Sequence, residues 1–207
     1  MDNPKIEKTA LDDFLKSMRT TSYARYDAHK RCNRLNNSSL FALTSASLLL
    51  IFLSIIDNYS SDACPFLNQS HLEIFSILIS VIILVLSLVV SFASYSLKSE
   101  RYFRSGNEIG ELCDRLIFVD KNSTDSIKEI IEQYYVLRKS SDNHQGYNYK
   151  NGRLERKRQI DDSIGESDDL TKLELLGYWS PIMAFYFISL SSFVVFIYAI
   201  LKYAQYA

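Results

Sequence analysis

Cysteine and histidine are scarce in this chain of 207 residues, with three of each. Three cysteines exclude a disulfide framework, and three isolated histidines exclude most multi-histidine metal sites. Neither sign of charge dominates: 23 Lys and Arg stand against 24 Asp and Glu. No global basic field points to nucleic acid, and direct DNA binding is not expected. Catalytic motifs are missing as well. The chain has no phosphate-cradling glycine loop, no GxSxG and no HExxH. His29, His71 and His144 stand alone, and no nucleophile has a base at a workable spacing. The expectation is a protein that is not an enzyme and that uses no cofactor or metal.

Charge is also absent locally, and that absence is the most informative. Residues 35–56, 74–97 and 175–201 contain no charged residue at all. A mean hydropathy of -0.05 therefore averages over a segregated chain. Roughly 20 apolar residues at about 1.5 Å rise each cross a hydrocarbon core of about 30 Å. All three runs meet that length. The fold class expected is an all-α membrane protein with three transmembrane helices and amphipathic cytoplasmic helices, assembled as an oligomer. The remaining chain is too small and too charged to enclose three buried core helices instead. The third run opens Gly177-Tyr178-Trp179-Ser180-Pro181, which places an aromatic anchor at the interface and a proline in the first helical turn.

Cations set the orientation. Arg25, Lys30, Arg31 and Arg34 precede the first span, and Lys98, Arg101, Arg104 and Arg115 follow the second. Residues 57–73 between them carry no Lys or Arg. By the positive-inside rule, residues 1–34 and 98–174 are cytoplasmic and 57–73 lie outside. The third span, within 175–207, then leaves a short tail outside. The expected location is a cell membrane that the chain crosses more than once. Cys32 and Cys113 fall in reducing cytosol, and Cys64 alone faces out, as an unpaired thiol or a bridge between subunits.

The segment 98–174 carries 14 basic and 16 acidic residues, so it is solvated and charge-balanced. Ile109, Leu112 and Leu116 recur at helical spacing and continue span two into a cytoplasmic helix. A second helix is expected to begin near Ser126, which has capping-box spacing to Glu129 and precedes a stripe of Ile127, Ile130, Ile131, Tyr134 and Leu137. Leu11, Phe14, Leu15 and Met18 form a third stripe, and the three are expected to pack together. Glu108, Glu111 and Asp114 share a flank with Arg104 and Arg115, which reads as helical salt bridging. Residues 139–169 read as a long polar loop with a short basic helix near 154–160. Its cluster Arg153, Arg156, Lys157 and Arg158 is a candidate contact for lipid headgroups or a nucleotide, although the adjacent Asp161, Asp162, Asp168 and Asp169 favour a self-neutralising charge run.

One pattern inside a span stands out. Ser76, Ser80, Ser87, Ser91 and Ser94 fall within roughly 60° of one another at about 100° per residue. Small residues of this kind let helices approach closely and exchange hydrogen bonds. Alternatively, the hydroxyls line water within an oligomer, because one three-helix subunit cannot enclose a channel. From physics alone, packing is the simpler explanation, with Thr44, Ser47 and Ser54 on span one as the opposite half of the contact. No ionisable residue lies within a span, which argues against a pump or coupled transporter and leaves a weakly selective leak.

The order of parts resembles a known family. A basic helix, YARYDAHKRCNRLNNSS, enters span one; a short outside loop and span two follow; the chain re-emerges as SYSLKSERYFRSGNEIGELCDRL, and a later helix ends YYVLRKSSDNHQGYNY. Over about residues 8–150 this resembles the SLATT group, two-transmembrane effector domains associated with nucleotide-signalling and SLOG-type sensor systems in bacteria. Asn143-His144 is similar to an Asn-His pair that members carry, with no role attached. The resemblance implies an antiphage effector that oligomerises in the inner membrane and opens pores, harming or killing the infected cell. It further implies a nucleotide signal, supplied by a neighbouring nucleotidyltransferase or, in one branch, a reverse transcriptase. The third span departs from the two-helix plan and resembles a branch with a C-terminal extension. The alternative is a non-conducting membrane anchor that recruits a cytosolic enzyme.

Overall fold

The computed structural model describes residues 4–59, 69–120, 123–140, 146–160 and 170–206. Every element among them is a helix: α1 Pro4–Tyr59, α2 Gln69–Ala93, α3 Tyr95–Phe118, α4 Thr124–Ser140, α5 Gly146–Ile160 and α6 Lys172–Tyr206. Three stretches, within α1, α2–α3 and α6, are long and apolar enough to cross a membrane.

The helix boundaries follow from local chemistry. From Lys5 to Tyr59 there is no glycine or proline, so the amphipathic stripe, the basic stretch and span one fuse into a single helix of 56 residues. Pro4 sits at its first position, where a missing N–H costs nothing. Span two does not run on into the polar helix as expected. Ser94 adopts a left-handed φ of 49°, so α2 ends at Ala93 rather than at Leu97. That backbone costs an L-residue about 1 kcal/mol. Helix α4 begins before Ser126, because Ser123 caps it: the Ser123 and Ser126 hydroxyls lie 2.8 Å apart, and the Ile127 amide bonds the Ser123 carbonyl. Within the long loop expected over 139–169, the short helix expected near 154–160 is present but begins earlier, at Gly146, so 146–153 is corrected from loop to helix.

Helix α6 begins three residues ahead of the charge-free run. Thr171 and Glu174 form a capping box: the Thr171 amide donates to Glu174 Oε2 at 3.0 Å, and the Glu174 amide donates to Thr171 Oγ1 at 3.4 Å. Pro181 therefore lies inside the helix and not in its first turn.

The helices sort into two units. One comprises residues 1–33 and 96–178, the other 34–95 and 179–207. The first is built on the three stripes read from the sequence. Met18, Ile109, Leu112, Leu116, Ile130 and Tyr134 are buried together, with Leu11, Phe14, Leu15, Ile127 and Leu137 packed around them. Phe14 meets Tyr134 edge-on at 5.4 Å, and the Tyr134 hydroxyl lies 3.1 Å from Thr21 Oγ1. Close helix approach relies on small residues. Ser22 Oγ donates to the Gly106 carbonyl at 2.9 Å across α1 and α3. A Cβ on Gly152 of α5 would lie 2.4 Å from the Ala24 nitrogen of α1.

In the second unit α1 supplies the central face. Leu35, Ser38, Ala42, Ser45, Ala46, Leu49 and Leu53 are buried, and Ile182, Phe185, Ser189 and Ser192 of α6 are buried with them. Small residues four apart on α1 (Ser38, Ala42, Ala46) are the packing device of membrane helices. Three of these serines satisfy themselves: Ser38, Ser45 and Ser192 bond carbonyls three or four residues earlier in their own helices, whereas the buried Ser189 Oγ makes no hydrogen bond.

Candidate functional site

The serine row of span two lies on the outside of the chain. Ser80, Ser87, Ser91 and Ser94 are exposed, and Ser76 is half-buried. The side of α2 that packs within the chain is Ile79, Ile83, Leu86 and Val90. Taking about 100° per residue, the serines centre roughly 75° around the helix from that packed side. The contact between spans one and two is thus aliphatic. Thr44 and Ser54 are exposed and bond their own backbone carbonyls at Leu40 and Leu50. Ser80 Oγ likewise donates to the Ile77 carbonyl at 2.7 Å, and Ser94 Oγ to Ser91 at 3.2 Å. Only 6% of the apolar window of span two is buried, against 39% for span one and 22% for span three. Span two is the least covered of the three.

The basic cluster does not form one surface. Asn148, Gly152 and Arg156 occupy the buried side of α5, so Arg156 points inward at 8% exposure. Arg153 and Arg158 are exposed and Lys157 is half-buried. Arg158 pairs with Glu155 at 3.9 Å. Asn143, His144 and Cys64 lie outside the described residues.

A polar clamp joins α1, α5 and the start of α6 within the first unit. Asp27 accepts from Asn148 Nδ2 at 2.9 Å, Asn151 Nδ2 at 3.2 Å and the Tyr178 hydroxyl at 3.4 Å. One turn along α1, the Arg31 guanidinium lies over the rings of Tyr147 (4.9 Å) and Tyr178 (5.5 Å). Its nitrogens reach the Gly177 and Tyr178 carbonyls at 3.5 and 3.4 Å. Proline has no N–H, so Pro181 cannot bond the carbonyl four residues back, which is that of Gly177. Arg31 supplies the missing donor. Lys150 closes the clamp with a 2.8 Å ion pair to Glu174. The hydrogen bond from Lys150, then those from Thr171, hold the Glu174 carboxyl at about 2, well below its ordinary 4.5.

Beside the clamp, α1 and α5 enclose a cleft of about 390 Å³. Several of its polar groups are already engaged: Tyr23 donates to Gln159 and Asn151 to Asp27 within the cleft, and Tyr26 donates to Asn107 of α3 at 2.6 Å. Burial pushes the Cys113 thiol up to about 11, so it stays protonated and unreactive at neutral pH. No cluster of metal-ligating side chains occurs among the described residues.

The sequence pattern of the SMODS and SLOG-associating 2TM effector domain family 5 matches residues 7–206. The chain belongs to this family. Neither a curated protein nor a solved structure matches it. The family description makes this SLATT chain a membrane effector of conflict systems. Its match runs far past residue 150 and takes in α6, so the third span belongs to the family's pattern and is no appendage. Sequence reasoning counted Arg25 and Arg31 only as topology signals. In this SLATT chain Arg25 is buried over the Tyr102 ring, and Arg31 is the clamp just described. The spacing of Arg31 from Asp27, one helical turn, was legible; their partners on α5 and α6 were not.

Proposed function

We propose that this SLATT chain oligomerises in the bacterial inner membrane and permeabilises it when a cytosolic input acts on the polar unit. Residues 1–34 and 98–174 face the cytoplasm in this reading, and 57–73 face outward. The input is a nucleotide signal or a neighbouring nucleotidyltransferase or reverse transcriptase, and the effector performs no chemistry of its own. Infected cells are harmed by the leak, as in abortive antiphage defence.

The observation that carries this reading is the exposure of α2. A helix so little covered by its own chain, with a row of hydroxyls beside its packed side, has surface left for other subunits. In a resting bilayer the hydroxyls tolerate lipid because Ser80 and Ser94 bond their own backbone. In an assembled ring the same hydroxyls can turn to water. Ser80→Leu combined with Ser87→Leu is expected to abolish dye entry after induction while leaving membrane insertion intact. Unchanged permeabilisation would remove span two from the pore wall. The self-bonded hydroxyls also favour a second reading, a non-conducting anchor that recruits a cytosolic enzyme, in which induction never depolarises the cell.

A further inference from the structure

Helices α3 and α4 leave a groove of about 530 Å³ between them. Leu112, Val136 and Leu137 form its apolar floor, and Val136 is 66% exposed. Glu108 and Glu111 stand on one wall, Glu129 and Glu132 on the other. The salt bridging expected of this flank does not form. Among the described residues no ion pair joins Glu108, Glu111 or Asp114 to Arg104 or Arg115. Arg115, the sole cation among the lining residues, donates instead to Gln133 Oε1 at 3.0 Å, and Gln133 donates to Glu129 at 2.9 Å. Four carboxylates against one guanidinium leave three net negatives around an apolar strip. Among the described residues no hydrogen bond or ion pair engages the carboxylates of Glu108, Glu111 or Glu132.

An uncovered apolar strip and carboxylates without counter-charges are met together by one kind of ligand, a helix with an apolar row between cations. We propose that the α3–α4 groove receives a cationic amphipathic helix of a partner protein. Its apolar row covers Val136 and Leu137, and its Lys or Arg side chains reach the glutamates of both walls. From Glu129 to Val136 the groove runs roughly 10 Å along α4, about two turns of a docked helix. The glutamates of each wall are roughly 4.5 Å apart along their helix, so cations three or four residues apart match them. The chain itself offers no such face. Exposed Lys128 and Lys139 of α4 are eleven residues apart with Glu132 between them, and Arg153 and Lys157 of α5 are already engaged. The inference rests on the reading above, in which a cytosolic input acts on the polar unit, and makes that input a protein. Three net negatives turn a nucleotide away from this surface.

The test uses the full chain in nanodiscs of zwitterionic phosphatidylcholine, with empty nanodiscs as the blank, and reads the anisotropy of labelled peptides. The probe is a Leu–Lys helix of about four turns, with Leu at i, i+4 and i+7 and Lys on both flanks. A scramble of the same composition and an oligolysine of the same length are the comparisons. The helix is expected to bind at least tenfold more tightly than either. Glu129→Gln with Glu132→Gln, and separately Glu108→Gln with Glu111→Gln, should each weaken it about tenfold. Val136→Ser should weaken it too while leaving its salt dependence unchanged, and it alters only an exposed side chain should a glutamate pair fail to fold. Equal binding of the scramble or of oligolysine, or undiminished binding by the folded variants, overturns the assignment. So does salt-sensitive self-association that the glutamate variants weaken while the helix stays unbound, because the occupant is then a second copy. Dye entry in cells keeps the two ideas separable. If Ser80→Leu with Ser87→Leu abolishes the leak while the wild type ignores the helix, the groove assignment fails and the permeabilising effector stands. If the helix binds through the glutamates but induction never depolarises the cell, the groove stands and the leak fails.

Discussion

Replacing Gly152 by alanine should loosen α5 from α1, although the same change ordinarily stabilises a helix. An added Cβ would lie 2.4 Å from Ala24 N, 2.8 Å from Ala24 Cα and 2.9 Å from the Thr20 carbonyl oxygen. All three are backbone atoms and none can rotate aside. Relief requires α5 to withdraw by roughly 1 Å to reach ordinary contact. The Asn148 and Asn151 bonds to Asp27, at 2.9 and 3.2 Å, lie in the turn before Gly152 and would stretch beyond useful length. Overpacking costs about 1–3 kcal/mol, and each weakened bond to a charged acceptor adds about 1 kcal/mol. Against this stands a helix-propensity gain of about 1 kcal/mol. The net expectation is a loss of about 2–4 kcal/mol, read as a lower melting temperature in detergent with faster amide exchange in α5. Gly177→Ala is the internal contrast. Nothing lies within 4 Å of its added Cβ, so only the propensity gain applies and the chain should become about 1 kcal/mol more stable. A Gly152→Ala protein as stable as the wild type would refute the backbone-to-backbone contact.

Two further outcomes follow from the clamp. Glu174 has a folded carboxyl at about 2 against an ordinary 4.5, so its stabilising contribution is complete above pH 4.5 and fades as pH falls toward 2. Glu174→Gln should flatten that part of the melting-temperature profile and leave neutral pH as its region of largest difference; an unchanged acid slope would remove Glu174 as its source. Arg31→Lys keeps the charge and loses the planar fork that reaches the Gly177 and Tyr178 carbonyls, at a cost of about 1–2 kcal/mol. With Pro181→Ala the helix regains its own donor to Gly177, so the Arg31→Lys cost should fall by about half in that background. Strictly additive losses would show that Arg31 does not serve the proline gap.

Apolar periodicity carried the reading of this sequence wherever burial is apolar. The spans and the three stripes through Met18, Leu112 and Tyr134 were legible because burying such side chains is what selects their spacing. Helix α5 was not. Its buried side is Asn148, Gly152 and Arg156, two polar residues and one without a side chain, and no hydrophobic period marks it. Hydrogen bonds to Asp27 and direct backbone approach take the place of apolar burial there, and both depend on a partner far away in sequence. The start of α6 escaped for a related reason. Thr171 and Glu174 lie outside the charge-free run, so hydrophobicity placed the helix end at the membrane edge and put Pro181 in the first turn.

The serine row shows the same limit from the opposite side. Its spacing on α2 was plain, but spacing alone does not say which neighbour a row faces. Within the chain, α2 packs through Ile79, Ile83, Leu86 and Val90. An intramolecular packing role therefore has no partner to act on, and the two original explanations collapse onto one requirement. If the row packs helices, the helix belongs to another subunit; if it lines water, several subunits must surround that water. On the reading proposed above, the hydroxyls act only on assembly, whichever of the two roles they take. Self-association and dye entry thus become the measurements on which the reading of span two stands or falls.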